Sequence, residues 1–457
     1  ARLARDGPRI RARWEVEVPP RGAAERALSL DAHDRLAVVT APGAPAAWPS
    51  PDLEGVDDRL RRWVTRSLGD LDALRLTRIG SDDQFLGAGA PWFFTLFGRD
   101  SIWAARFLLP LDLGIAHGTL RTLAALQGRE RLAVTAEQPG KIIHEVRRAT
   151  LELPDEGIEL PPHYYGTVDA TPLWICLLAE ARDCGLGDEA TRELLPALRA
   201  ALAWMRDFGD SDGDGLLEYV DESGRGLSNQ GWKDSGDSVQ WRDGTLAEGP
   251  IALVEVQAYA HEAAVRGAAI LEEFGEDGAE WRAWAGRLAA RVREAFWVED
   301  AEGRYPAIAL DAHKRAVDSL TSNIGHLLGT GLLDAEESRL VARRLVSPRL
   351  DAGYGIRTLA TGSGGYWPLS YHGGSIWAHD TAIAIRGLHR DGFGEEARTL
   401  AEGLLRAAVA FENRMPELHG GDAASEVPRP VPYPAACRPQ AWSAAASLVV
   451  LDALAHG

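Results

Sequence analysis

From about residue 56 to the C-terminus the sequence repeats one rhythm: a long loop, a helix, a short turn, a helix. Helices are expected near 56–68, 99–110, 114–127, 169–184, 188–207, 250–272, 277–297, 316–328, 335–345, 374–390, 394–412 and 439–454. Ala, Leu, Arg and Glu dominate these segments and favour helix. Leu194, Leu198 and Leu202 recur every fourth residue, the stripe of a helix with one buried face. Pro196 is placed to kink that helix. Twelve helices in six pairs suit a mainly α fold, an (α/α)6 barrel in which two rings of helices form a six-hairpin toroid. An irregular helical solenoid is the alternative. The long loops are 82–98, 128–168, 208–249, 298–315, 346–373 and 413–438. Loops longer than about 15 residues are usually functional, and a toroid would gather these on one face.

The first 50 residues differ. Ile10, Ala12, Trp14, Val16 and Val18 alternate with Arg11, Arg13, Glu15 and Glu17, a strand with one buried face. Leu36-Ala37-Val38-Val39 is a second short candidate. Two strands make no stable sheet alone. Residues 1–50 are therefore expected to be the C-terminal part of a β-sandwich domain plus a Pro/Ala linker, with the barrel over 51–457. The chain starts at Ala1 without a methionine or a signal peptide, so a preceding segment is expected. A net charge of −18 repels phosphate backbones and argues against nucleic acid as a partner. No apolar run reaches the ~18 residues of a membrane span. Cys176, Cys184 and Cys437 are too few and too oddly spaced for a disulfide framework or a metal site. Sparse cysteines and an acidic surface point to a cytoplasmic protein.

One loop stands out for chemistry. Residues 229–243 contain two glycines, two serines and an asparagine, and form neither a good helix nor a good strand. They also hold Trp232, Trp241, Lys233, Asp234, Asp237 and Asp243. Aromatic faces pack on the C–H face of a pyranose and carboxylates bond its hydroxyls, so this mixture suits a sugar site. A polar loop pinned by two buried tryptophans is the plainer reading.

Other long loops repeat the pattern. Trp92, Phe97, Arg99 and Asp100 lead into a helix, where Arg99 and Asp100 could fork onto sugar hydroxyls or Asp100 could cap the helix. Glu145 follows His144, and Asp169 opens a helix with the same ambiguity as Asp100. His372, Trp377, His379 and Asp380 open another, where a histidine with an apolar helix face around it is more often a core residue. Glu417 lies beside Pro416, with Glu412 as a rival acid at a helix end. No zinc-ligand spacing of histidines occurs. Asp210, Asp212, Asp214, Gly215 and Glu218 approach a calcium loop, but position twelve is Asp221, short for a bidentate grip. The expectation is that no cofactor is required, with structural calcium as a candidate and a polar turn as its alternative.

Six segments, taken together and in this order, resemble the glycogen-debranching, amylo-α-1,6-glucosidase type of glycoside hydrolase. They are Phe97-Gly98-Arg99-Asp100-Ser101, Thr167-Val168-Asp169-Ala170, Asn229-Gln230-Gly231-Trp232-Lys233-Asp234-Ser235, Tyr371-His372-Gly373-Gly374-Ser375-Ile376-Trp377, Pro416-Glu417-Leu418 and Gln440-Ala441-Trp442-Ser443. The resemblance implies an (α/α)6 catalytic barrel after a β-sandwich, and hydrolysis of terminal α-glucosidic bonds (α-1,6 or related) in an oligosaccharide or polysaccharide, with inversion. It implies Asp234 as general acid, Glu417 as general base, and Arg99 and Asp100 as holders of the terminal glucose. The glucanotransferase domain of the large eukaryotic enzymes has no counterpart here. Inversion needs the two carboxyls about 6.5–9.5 Å apart to admit a water. Asp234 would be kept protonated by burial beside Trp232 or by Asp237, Lys233 would point away, and Glu417 would stay ionised. Trp92, Trp232, Trp241 and Trp377 are the candidate stacking walls. Two other classes remain: an (α/α)6 sugar epimerase centred on His372, His379 and His419, and a carbohydrate-binding protein without activity.

Overall fold

The computed structural model describes residues 2–7, 9–26, 34–155 and 157–455. Contacts divide the chain into residues 1–37 and 38–457. In the first unit Arg2–Asp6 pairs antiparallel with Arg9–Arg13 as a hairpin. The strand expected to run to Val18 stops at Arg13, and its apolar side is not buried: Ile10 is 74% exposed. A lone pair of strands supplies no second layer to cover either face.

In the second unit Val39–Thr40 pairs with Arg75–Arg78, which pairs with Gln84–Leu86. The Pro/Ala stretch that follows Thr40 is tied to this unit: Arg75 Nη2 donates to the Ala44 carbonyl (2.6 Å) and Ala46 N–H to Asp72 (2.8 Å).

Eleven α-helices follow among the described residues. They are α1 (Asp58–Ala73), α2 (Gly98–Leu108), α3 (Leu113–Ala125), α4 (Ala170–Asp183), α5 (Asp188–Asp207), α6 (Val254–Glu273), α7 (Ala279–Ala295), α8 (Ala335–Leu345), α9 (Ala378–Arg390), α10 (Gly394–Ala410) and α11 (Ala441–Ala455). The helix expected over 316–328 is instead a short strand, Ala316–Val317, and a 3₁₀ segment, Ser322–Leu327. Ser322, Asn323 and Gly325 are poor helix formers. Gly325 also packs so closely on α9 that an added Cβ would lie 2.8 Å from that of Ala384.

The 3₁₀ segment nevertheless takes a helix's place. Neighbours in the series α2, α4, α6, Ser322–Leu327, α9, α11 touch one another, and α11 touches α2, so the inner ring closes. The remaining helices pack outside it. The protein is thus mainly α, an (α/α)6 barrel. Composition assigns each helix its ring. α2 is buried along its whole length, and α11 is apolar on all sides, as inner members must be. α5 runs unbroken through Pro196 and buries Leu194, Leu198 and Leu202 while Arg192, Glu193 and Arg199 stay outside. Each long loop precedes an inner-ring member, so the loops and the inner N-termini share one face.

Candidate active site

The site is assembled at that face. Phe97, not Asp100, occupies the cap position of α2, and its side chain makes no cap bond. Gly98 N–H donates to the His144 carbonyl (2.7 Å), and a Cβ at Gly98 would lie 2.2 Å from the Ile143 carbonyl oxygen. Glycine is therefore needed to bring this turn against the segment 142–146. The turn aims Arg99 and Asp100 inward. Arg99 Nε donates to Asp169 Oδ2 (2.6 Å), Nη2 to Thr167 Oγ1 (3.3 Å), and Nη1 lies 3.8 Å from Asp234 Oδ2. Asp169 also accepts the Thr167 hydroxyl (2.7 Å) and makes no cap bond. Asp100 is buried, and its carboxyl is pushed up to about 8 by burial, against Arg99 and with the charges of Asp234, Glu417 and Asp169 adding to it.

The 229–243 loop is pinned from within. Tyr219 OH donates to Asn229 (2.6 Å), Asn229 Nδ2 to the Ser235 carbonyl (2.8 Å), and Lys233 Nζ to the Thr358 carbonyl (2.6 Å). Lys233 thus points away from Asp234. Trp232 is buried, stacked on His326 and met edge-on by His372, Trp377 and His379. Fixing Trp232 and Lys233 leaves Asp234 at the cleft floor, with 32% of its side chain still open. Burial by the surrounding walls raises Asp234 to about 6, Arg99 opposes this, and Asp169 adds to it. Asp237 is exposed and bonded to Ser235 (2.7 Å), not a cause of that shift.

Glu417 precedes the two-residue strand Leu418–His419, which pairs with Ile376–Trp377. It is buried; Oε1 accepts the Tyr371 hydroxyl (2.8 Å) and Oε2 the Cys437 N–H (2.9 Å). Burial pushes it up to about 7, the two bonds hold it down, and the charge of Asp234 raises it further. Both carboxyls of the pair are thus shifted upward, Asp234 and Glu417 alike, chiefly by burial. Glu412 is exposed at the end of α10.

The sequence model of the mannosylglycerate hydrolase MGH1-like glycoside hydrolase domain matches residues 100–421, a span that contains Asp234 and Glu417. The chain belongs to this family. No curated protein sequence matches the chain. Among solved structures, the GH63 mannosylglycerate hydrolase from Thermus thermophilus in complex with glucose has a TM-score of 0.63 at 17% identity, covering 85% of this chain and 99% of that chain. The same enzyme with Tris and D-glycerate gives 0.60 at 16% identity, with the same coverage. Neutral trehalase Nth1 from Saccharomyces cerevisiae gives 0.56 at 15% identity, covering 81% of this chain and 74% of that chain. At such identities the likeness establishes the barrel. The glycoside hydrolase class expected from the motifs stands, and the matching family is the MGH1-like one rather than the glycogen-debranching type.

Several other expected residues of this MGH1-like hydrolase lie around the same cleft. Glu145 is buried, accepts Arg147 Nε (2.7 Å) and is raised to about 7 by burial. The Arg147 guanidinium lies over the Phe97 ring (5.6 Å). His372 stacks on Trp377, and its Nδ1 bonds Ser235 Oγ (2.8 Å). His379 stacks flat on Trp442 (3.7 Å), with neither ring nitrogen bonded among the described residues. Burial keeps His372, His379 and His419 well below the usual imidazole range, so all three stay neutral. Two tryptophans stand apart from this aromatic cluster. Trp92 is 60% exposed and donates to the Ala435 carbonyl (3.0 Å). Trp241 carries the Arg315 guanidinium over its ring (5.2 Å) and lines a separate cleft with Asp243 and Asp318.

Sequence reasoning missed Tyr371 as the partner of Glu417, and His326, which bonds Asp380 (2.7 Å) and Tyr259 beneath Trp232. Tyr371 sits inside a quoted motif, a signal that was available. His326 lies in the segment expected to be helical and carries none.

The calcium candidate is built around an ammonium. Asp210, Asp212 and Glu218 bring oxygens together, but Lys314 Nζ lies 2.8 Å from Asp212, 3.1 Å from Asp214 and 2.7 Å from Glu218. Asp210 spends its oxygens on the N–H groups of Gly213, Asp214 and Gly215, and Asp221 is tied to Ser223 and Gly226. Lys314 reaches the cluster from a left-handed backbone (φ 57°), which a lysine adopts only when its contacts hold it there. These residues do not fit an open divalent-cation site.

No helix among the described residues is long and apolar enough to cross a membrane.

Proposed function

We propose that this glycoside hydrolase cleaves a terminal α-glycosidic bond with inversion, with Asp234 as general acid and Glu417 as general base. The observation that carries the reading is the pair itself. Two carboxyls from loops far apart in sequence lie close enough for the charge of Asp234 to act on Glu417, and both are raised toward neutrality, to about 6 and about 7. Such a pair holds about one proton near neutral pH, which is what acid and base catalysis between them requires. Substrate hydroxyls that engage Arg99 would draw away the nearest cation of Asp234 and raise its affinity for the proton. Glu417, held by Tyr371 and Cys437, would then take a proton from water on the opposite face of the sugar. Arg99, Asp100 and Asp169 would grip the terminal ring, with Trp232 and Trp377 behind it.

The resemblance in the motifs favours α-1,6-linked or related glucosides. A second reading, a hexose joined to a small hydroxy acid, is favoured by Arg147. Its guanidinium is 21% exposed and donates to Glu145 through Nε alone.

Proton NMR of digests of isomaltose, panose, maltooligosaccharides, trehalose and mannosylglycerate tests both readings. Initial release of the β-anomer from an α-linked substrate is the expected result, and the substrate consumed fastest decides between them. Initial release of the α-anomer would overturn the assigned roles.

A further inference from the structure

The chain carries three lysines, and none is a solvent-exposed surface charge. Lys233 braces the Asp234 loop and Lys314 fills the acid cluster. Lys141 has no role in either. It is buried, donates to the Ala136 carbonyl (3.2 Å), and its Nζ lies 5.7 Å from the Trp204 ring centre. It lines a cavity of about 200 Å³ between the 131–141 and 207–222 loops. Gln230 lines the same cavity; it is 2% exposed, and its Nε2 has no hydrogen-bond partner among the described residues. A buried N–H left without an acceptor is costly, so two spare donors meeting in one cavity call for a ligand rich in acceptors.

The charge around the cavity narrows the class. Its wall includes Glu137, Asp207, Asp210, Glu218 and Glu222 against Arg131 and Lys141. An anion would meet more negative than positive charge. The carboxylates are also already engaged: Glu137 by the Arg129 N–H, Asp207 by Arg206, Glu218 by Lys314 and Glu222 by Arg131. A neutral polyhydroxyl compound supplies acceptors without net charge. Trp204 and Phe208 give the cavity an apolar wall for its C–H face.

We infer that this cavity is a second, non-catalytic site for a neutral sugar or polyol, held by Lys141 and Gln230. It abuts the catalytic wall. The Gln230 carbonyl accepts the Val168 N–H (2.9 Å) and Arg99 Nη2 (3.4 Å). A sugar gripping the Gln230 side chain therefore bears on the Arg99–Asp169 pair from behind. The site stands on binding geometry alone and is independent of which linkage the enzyme cleaves.

The test is a short acetylation pulse with an N-hydroxysuccinimide ester near neutral pH, read peptide by peptide at the three lysines. Burial lowers the Lys141 amine to about 7, so a reactive neutral fraction is present. Glucose and glycerol are the probes, on the full chain and on Asp234→Asn, so that occupancy is read without turnover. At a ligand concentration ten times Kd, acetylation of Lys141 should slow about tenfold in both proteins, while Lys314 is unaffected. A Lys141 rate unchanged by either probe overturns the inference, as does a Lys141 that never labels, since the cavity would then be closed. Calorimetric titration of glucose into Lys141→Met and Gln230→Leu provides the second reading. Each should lose the glucose-binding event whose Kd matches the protection of Lys141 in the parent, and retention of that event in both variants would also overturn the inference.

Discussion

At one end of the inner ring Glu180 receives Arg106 (2.7 Å), Arg386 (2.8 Å) and Arg390 (2.9 Å); at the other Glu417 receives a phenol and a backbone amide. Both glutamates are buried, and burial alone would raise both. The arginines pull Glu180 well below the ordinary carboxylate range, whereas the neutral donors leave Glu417 at about 7. Fold and chemistry are thus separated by the partner supplied, not by depth. Glu180, which joins inner-ring helices, is given cations, and Glu417 is given neutral donors.

The largest test of this contrast is catalytic. Asp234→Asn should lower kcat by about 10²–10⁴-fold, the usual range for a general acid, without lowering the melting temperature. A variant that keeps its rate would break the contrast at the cleft end. Next come the two glutamates side by side. Glu180→Gln should destabilise by about 3–5 kcal/mol, because it leaves the buried Arg106 with only the longer contact to Glu262. Glu417→Gln should abolish turnover yet change the denaturation midpoint little. Equal loss of stability in both would show that Glu417 is structural.

Asp100 sharpens the point with pH. Its folded carboxyl sits at about 8 against the ordinary 3.8. The stability from its bound proton is complete below the unfolded value and is lost as pH rises through the folded one. Asp100→Asn should therefore be more stable than the parent at pH 9, by up to roughly 5 kcal/mol, and nearly level with it at pH 4. Urea unfolding at both pH values checks this; an equal difference at both would remove the titration from the account. The pH profile of kcat/KM should be narrow. Activity falls on the acid side as the pair gains a second proton and on the alkaline side as it loses its only one, with Asp234 near 6 and Glu417 near 7. A broad plateau would mean that the two do not share a proton. The smallest effect concerns Lys314. Chelator or added calcium should leave the melting temperature unchanged, while Lys314→Met should destabilise by about 1–3 kcal/mol through the acids left unpaired. Stabilisation by calcium would reinstate the metal.

The helices were legible because their apolar spacing is local. Even the segment at 316–328 was placed in the ring and misread only in type, where close packing against Ala384 shortens it to a 3₁₀ turn. The N-terminal strand was misjudged because alternation in Ile10–Val18 states a preference for burial, not the presence of something to bury it. In the site, Arg99, Asp169, Trp232 and Glu417 could be named because each stands in one of the six segments that resemble the debranching-type family. What those loops do to one another was not legible. The bond from Tyr371 to Glu417, the amide of Cys437, the 3.8 Å approach of Arg99 to Asp234 and the lysine among the acids all join residues remote in sequence. Trp241 shows the converse: a tryptophan in the right loop whose ring is turned to an arginine elsewhere.

The common direction of the inner helices has a consequence of its own. Each α-helix carries roughly half a positive charge at its N-terminus and half a negative one at its C-terminus. Five that run the same way place their positive ends on the loop face, where the effect is felt within the first turn. The acids of the cleft sit at the positive pole. Arg106, Arg182 and Arg390, in the last turns of α2, α4 and α9, sit at the negative one. The backbone thus favours cations in those last turns, and the arginines there meet it.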